Sequence, residues 1–236
     1  MADSGAAAVG ETRVRRHALP VRLWHWLNAL TVLILIMSGL MIFNAHPRLY
    51  WGDYGANPDA AWLEMGSDGA LAFPGWITIP STYSLADARI WHLAFAWVLA
   101  LGLLAFLLWA LVRGHIRRDL HLARAEWHPA AMAGSLNAHD PLRYNPLQKL
   151  LYGGVLFVLL PLAVLTGLTM SPAIDAAWPW LLDLFGGRQS ARSLHFIAAM
   201  GLCGFFLVHM AALLRAGPVR HVGAMVTGWM RVRETP

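Results

Sequence analysis

Four long apolar stretches, near residues 23–43, 90–112, 147–169 and 193–214, leave this 236-residue chain few ways to fold. None has an Asp or Glu in its interior. Each is long enough to cross about 30 Å of hydrocarbon as a helix, which needs roughly 20 residues. In that medium every backbone N–H and C=O must be satisfied within the protein, and a helix does this within one segment. The expected fold class is all-α: an integral membrane, transmembrane four-helix bundle. Composition agrees, because 58% of the residues are hydrophobic and 13% are charged, against about 25% charged in soluble domains. Pro161 falls inside the third stretch, where a membrane helix tolerates the kink it is expected to make.

The intervening segments set domains and orientation. Residues 1–16 are polar, Ala/Gly-rich and then basic, and are expected to be a disordered N-terminal segment. The stretch 23–43 is too long for a signal-peptide core and lacks a small-residue cleavage site, so an uncleaved first span is expected. Residues 17–217 make up the four-helix domain. Residues 218–236 read as an amphipathic tail. Val222, Met225, Val226 and Trp229 recur there at helical spacing beside Arg220 and Arg231, as in a short helix lying on a membrane surface. Arg and Lys number 14 in the N-terminal segment with Arg22, the 113–149 region and the C-terminal tail. The opposite side has four: Arg48, Arg89, Arg188 and Arg192. The positive-inside rule then puts both termini in the cytoplasm. Residues 44–89 form a long outer loop carrying Trp51, Trp62 and Trp76, read either as a docking lid or as an interfacial cap over the bundle.

Some chemistries are excluded early. The single cysteine, Cys203, rules out an intrachain disulfide, a multi-cysteine metal site and the C-x-x-C-H attachment of a c-type haem. No basic run is interleaved with aromatics, so no nucleic-acid partner is expected. A proton-coupled transporter normally needs carboxylates within its bundle, and these spans have none.

Eleven histidines remain. Seven of them (His17, His46, His115, His121, His128, His139 and His221) fall in loops or flanks and read as solvated or headgroup-facing. The other four, His25, His92, His195 and His209, lie inside spans, where an ionisable side chain marks a functional site. Following the chain back and forth across the membrane sorts them by depth. His25 and His209 fall near the cytoplasmic face, His92 and His195 near the outer one. His195 and His209 are 14 residues apart on one span. At about 100° and 1.5 Å per residue they share a helix face and are separated by about 21 Å. One helix therefore offers two stacked imidazoles, each with a partner at its own level, which is the arrangement two six-coordinate haems need.

Neighbouring residues extend the pattern. Arg22, Arg89 and Arg192 each precede a span histidine by three residues. A guanidinium suits a haem propionate, and arginines also snorkel at helix ends for no other reason than solvation. Gly39 lies 14 residues after His25 and is expected to face the outer site. Gly153, Gly154, Gly167, Gly201 and Gly204 read either as small residues passing a flat macrocycle or as tight helix packing, with packing the reading for most of them. Met37, Met170, Met200 and Met210 read as apolar gap-fillers rather than iron ligands.

Three motifs together resemble a known family. Pro20-Val-Arg22-Leu-Trp-His25-Trp26, Tyr144-Asn145-Pro-Leu-Gln148-Lys149, and Arg192-x-x-His195 with His209 fourteen residues on look like the di-haem cytochrome b subunits of membrane oxidoreductases. That group includes the b-type subunits of nickel–iron hydrogenases, formate dehydrogenases and thiosulfate reductases, and is related to bacterial b-561 cytochromes. The resemblance runs from about residue 17 to 232. It implies two haem b groups, ligated by His25/His209 and His92/His195, in a bacterial inner membrane. It implies electron transfer between a quinone pool and a periplasmic partner, either a molybdopterin-type oxidoreductase or a c-type cytochrome. By motif match Asn145 and Gln148 would edge a quinone site, although Asn145 before Pro146 also reads as a helix N-cap. The other role the resemblance leaves open is a stand-alone quinone-linked oxidoreductase acting on a small outer-side substrate such as superoxide.

Overall fold

The computed structural model describes residues 11–66, 70–135 and 143–233. The loop histidine His139 and the first ten residues of the N-terminal segment lie outside the described residues. Among the described residues, four helices are long and apolar enough to cross a membrane: Leu19–Asn44, Leu85–Val112, Pro146–Thr169 and Arg188–Ala216. They are the four spans expected from the sequence. The fourth begins five residues earlier than its apolar stretch, because its first turns are buried under the loop rather than in hydrocarbon.

Local chemistry starts and stops these helices. Ser84 caps the second span, its Oγ accepting from the Asp87 N–H at 3.3 Å. Asn145 caps the third, with Pro146 in the first helical position where its missing N–H costs nothing. Pro161 cannot donate to the carbonyl of Phe157, and its ring crowds that carbonyl. The irregularity falls there as a π-helical turn, Val155–Leu159, immediately before it. Gly217, at φ 94°, ends the fourth span in a left-handed conformation that a side chain resists.

The first span packs along the second and the third along the fourth, giving two helical hairpins. Contacts across the seam between the hairpins are sparse by comparison. Leu99, Leu103, Leu156, Leu160 and Leu202 close the seam at mid-height, with Trp24 and Leu35 against them. Leu30, Leu33, Leu101, Leu104, Leu108 and Leu207 point outward and are exposed, as lipid-facing residues should be.

Each end of the bundle is tied differently. At one end the loop between the first two spans contains a short ribbon, Arg48–Leu49 against Leu63–Glu64, locked by the Arg48–Glu64 ion pair. At the other end the first and last described strands meet. Residues 11–15, expected above within a disordered segment, instead form a strand, Glu11–Arg15, antiparallel to Trp229–Arg233. The tail is likewise not one helix to residue 232. It is helical over Pro218–Thr227, turns at Gly228 with φ 87°, and continues as that second strand. The alternation Thr12-Arg13-Val14 opposite Val232-Arg231-Met230 has the period of two that a strand requires. The two terminal strands therefore mark one side of the bundle, the termini side; the opposite face is the loop side.

His17 sits in this tie, its N–H donating to the Gly228 carbonyl at 3.2 Å. Burial, and then the Arg16 guanidinium beside it, push its pKa down to about 4. Opening the tie returns the imidazole to about 6.5. Between these values the open form binds a proton that the closed form does not, so acid favours opening. Amide exchange in residues 11–15 and 229–233 is expected to accelerate as the pH falls from about 6.5 toward 4, and His17→Gln to flatten that dependence.

Candidate functional site

Both groups of span histidines straddle the seam. His92 on the second span meets His195 on the fourth, with ring centroids 6.0 Å apart. His25 on the first meets His209 on the fourth, at 6.4 Å. The structure thus brings the four side chains together in the two pairs that depth suggests. Among the described residues no cluster of three or more His, Cys, Asp or Glu could hold a bare metal ion.

On the loop side each imidazole is oriented by a hydroxyl from the neighbouring helix of its own hairpin. The His92 Nδ1 lies 3.0 Å from Ser38 Oγ. The His195 Nδ1 lies 3.1 Å from Thr166 Oγ1 and 3.0 Å from the Ala163 carbonyl. The roles follow from what else the hydroxyls do. Ser38 donates its proton to the Ile34 carbonyl at 2.7 Å, and Thr166 donates to the Leu162 carbonyl at 2.6 Å. Each hydroxyl has one proton, so toward histidine it accepts. Both rings are therefore Nδ1–H tautomers, and each Nε2 keeps its lone pair.

A glycine follows each hydroxyl. A side chain at Gly39 would stand 3.3 Å from His92 Cε1, and one at Gly167 would stand 3.3 Å from His195 Cε1. Gly39 was expected to face this site; Gly167, which the sequence left open between such a role and packing, does so as well. Sequence reasoning missed Ser38 and Thr166. The repeated hydroxyl–glycine pair, Ser38-Gly39 and Thr166-Gly167, was the available signal.

The termini-side pair is held by other means. His209 stacks on Phe205 at 5.7 Å and meets the edge of Tyr152 at 6.4 Å. His25 lies edge-on to Trp26 at 4.9 Å. The His25 Nδ1 is buried without a hydrogen-bond partner among the described residues, as are Asn28 Oδ1 and Thr31 Oγ1.

The other sequence-predicted residues fall as follows. Arg22 donates to the Met225 carbonyl at 3.3 Å and to that of Val226, capping the tail helix. Arg192 donates to the Arg48 carbonyl at 3.0 Å and to that of His46, gripping the loop. Arg89 is exposed. Asn145 and Gln148 form a reciprocal capping box, with Gln148 N–H to Asn145 Oδ1 at 2.8 Å and Asn145 N–H to Gln148 Oε1 at 3.1 Å. Asn145 Nδ2 also donates to the Ser135 carbonyl at 3.1 Å. Their polar groups thus start the third span.

A family model described as prokaryotic cytochrome b561 matches residues 16–228. The chain belongs to the prokaryotic cytochrome b561 family. A Ni/Fe-hydrogenase B-type cytochrome subunit of Cupriavidus necator is 26% identical to it, over 98% of this chain and 93% of that one. A protein-methionine-sulfoxide reductase subunit, YedZ1, of Azospira oryzae is 29% identical over 81% and 86% respectively. The cytochrome YdhU of Escherichia coli is 28% identical over 93% and 75%. The chain is thus a multi-pass membrane b-type cytochrome, and haem b is the cofactor of such proteins.

In this b561 cytochrome the loop is stitched to the helix that carries His195. Ser193 Oγ donates to the Tyr50 carbonyl at 2.6 Å and accepts from Trp62 Nε1 at 2.9 Å. The Gly52 carbonyl accepts from Gln189 and Ser190 at 2.9 and 3.1 Å. Ser193 is fully buried, so Ser193→Ala leaves an acceptor and a donor unmet. A loss of about 2 kcal/mol is expected. It should be read as roughly thirtyfold faster amide exchange across residues 48–63, with the helical spans unaffected.

Proposed function

We propose that the chain binds two haem b groups, one between His92 and His195 and one between His25 and His209, and carries electrons between a quinone pool and a catalytic partner subunit. The observation that carries this reading is the pair of imidazole pairs, both anchored on one face of the fourth span.

The residues fit the group. Two imidazoles bonded to one ion at about 2 Å each have ring centroids on the order of 6 Å apart, and both pairs stand at that separation. The forced tautomers leave the Nε2 atoms of His92 and His195 as free bases. Both pairs bridge the seam where the hairpins make few contacts with each other. Gly39 and Gly167 keep side chains away from the loop-side rings. When bound, haem b supplies one-electron chemistry through ferric and ferrous iron.

The chain's own residues do the rest. An iron held by two histidines of a pair would keep no position open for oxygen, which favours electron transfer. The leucine layer between the pairs excludes water. Arg22 and Arg192 commit part of their guanidinium forks to carbonyls, and their remaining N–H groups, with exposed Arg89, are the donors left for propionates. The loop side faces outward by the positive-inside rule, so the partner docks there. Relatives named as subunits of a hydrogenase and of a sulfoxide reductase support a catalytic subunit as that partner. The quinone exchanges electrons at the termini side, nearest His25 and His209.

The test is haem content and the reduced-minus-oxidised spectrum of the purified protein. Two haems per chain are expected. His209→Ala is expected to lose one haem and His92→Ala the other. A single haem in the unaltered protein overturns the reading.

A further inference from the structure

The two imidazole pairs differ in what holds them, and the difference bears on the direction of electron flow. On the loop side both rings donate from Nδ1, His92 to Ser38 Oγ and His195 to Thr166 Oγ1 and the Ala163 carbonyl. On the termini side the His25 Nδ1 has no partner among the described residues, and His209 is positioned by ring stacking. An imidazole that donates its second N–H is a more basic ligand. A more basic ligand favours the oxidised metal and lowers the reduction potential.

The charge distribution acts in the same sense. The described residues on the termini side (11–22, 113–135, 143–149 and 215–233) carry fourteen basic and three acidic residues, a net +11. Those on the loop side (44–66, 70–89 and 170–192) carry four basic and six acidic residues, a net −2. A positive surround stabilises an added electron, and a negative one opposes it. Arg89 and Arg192, each one turn from a loop-side histidine, work against this trend, and Arg22 beside His25 works with it.

Resting on the two-haem reading above, we propose that Ser38 and Thr166 are positioning residues that hold the His92–His195 centre at a lower potential than the His25–His209 centre. One-electron transfer from the loop-side centre to the termini-side centre would then run downhill. Two such electrons in succession, supplied by the reduced redox centre of the partner subunit and joined by two protons from water on the termini side, would reduce one quinone to quinol.

The experiment is a spectroelectrochemical titration of the purified, haem-loaded full chain and its variants. Two transitions are expected, of which His92→Ala removes the lower. Ser38→Ala and Thr166→Ala should each move the lower transition to more positive potential and leave the upper in place, and the double variant should move it further than either. Thr166→Ser keeps the acceptor and should keep the parent value. A shift confined to the upper transition, or no shift in alanine variants that retain both haems, overturns the proposal. Should an alanine variant shed its haem, the His92→Ala titration decides alone: loss of the upper transition overturns the proposed order. One haem or none in the unaltered chain overturns the two-haem reading and this proposal together, whereas two haems in the reverse order overturn only this one.

Discussion

An imidazole placed in hydrocarbon must have both of its nitrogens satisfied, and much of this structure follows from meeting that requirement. Burying an unpaired polar group costs several kcal/mol in a medium that offers no water. At His92 and His195 the first nitrogen is settled by a hydroxyl whose own proton is already committed to a helix carbonyl one turn back. That back-bond is a local property of Ser and Thr in helices. Here it has a distant consequence, because it fixes the tautomer of a ring on another helix. The second nitrogen is left with its lone pair free. Helix geometry, hydroxyl chemistry and imidazole basicity are thus links of one chain, from Ser38 to the Nε2 of His92.

The seam itself has a physical rationale. Within each hairpin the helices pack closely, and between hairpins they do not. A lipid-embedded bundle has no hydrophobic driving force to close such a gap, because lipid tails are as apolar as leucine. What joins the hairpins is the layer of Leu99, Leu103, Leu156, Leu160 and Leu202 at mid-height, and polar ties at the ends. The cofactor of a b-type cytochrome is held by coordination and packing alone in a chain whose single cysteine forbids covalent attachment. It would add the missing contact surface between the halves.

The sequence was most informative where structure depends on local periodicity. Span length, the absence of interior acids and the 14-residue spacing of His195 and His209 each reflect one helix at a time. The grouping of histidines followed from counting crossings. Features that depend on distant partners were harder to read. Glu11–Arg15 is too short to announce itself as a strand, and its partner lies more than 200 residues away. The tail's apolar periodicity continued through Gly228 to Trp229, which concealed the turn. Ser38 and Thr166 looked like ordinary residues in apolar helices, because their significance lies in which rings they face. Asn145 carries two readings, quinone contact and helix N-cap, and Arg192 two, propionate partner and helix-end arginine, because the backbone groups at helix ends compete with a ligand for the same side chains.

That competition gives the recurring Arg-x-x-His spacing a structural meaning. Arg22 binds the last carbonyls of the tail helix, where the helix dipole is negative and a cation is favoured. Arg192 binds the carbonyls of His46 and Arg48 where the loop crosses the start of the fourth span. Each arginine lies one helical turn from a histidine, His25 or His195, so each staple grips the turn adjacent to an imidazole. The two ends of the bundle use unrelated parts, a strand pair with a short helix on one side and a tryptophan-bearing loop on the other. Both are fastened beside the rings. A helix end frays where its terminal groups lack partners, and fraying at these positions would let an imidazole swing out of register with its mate. Placing the staples one turn away keeps the ring pairs at a fixed spacing while the lipid-facing surfaces between them need only be apolar.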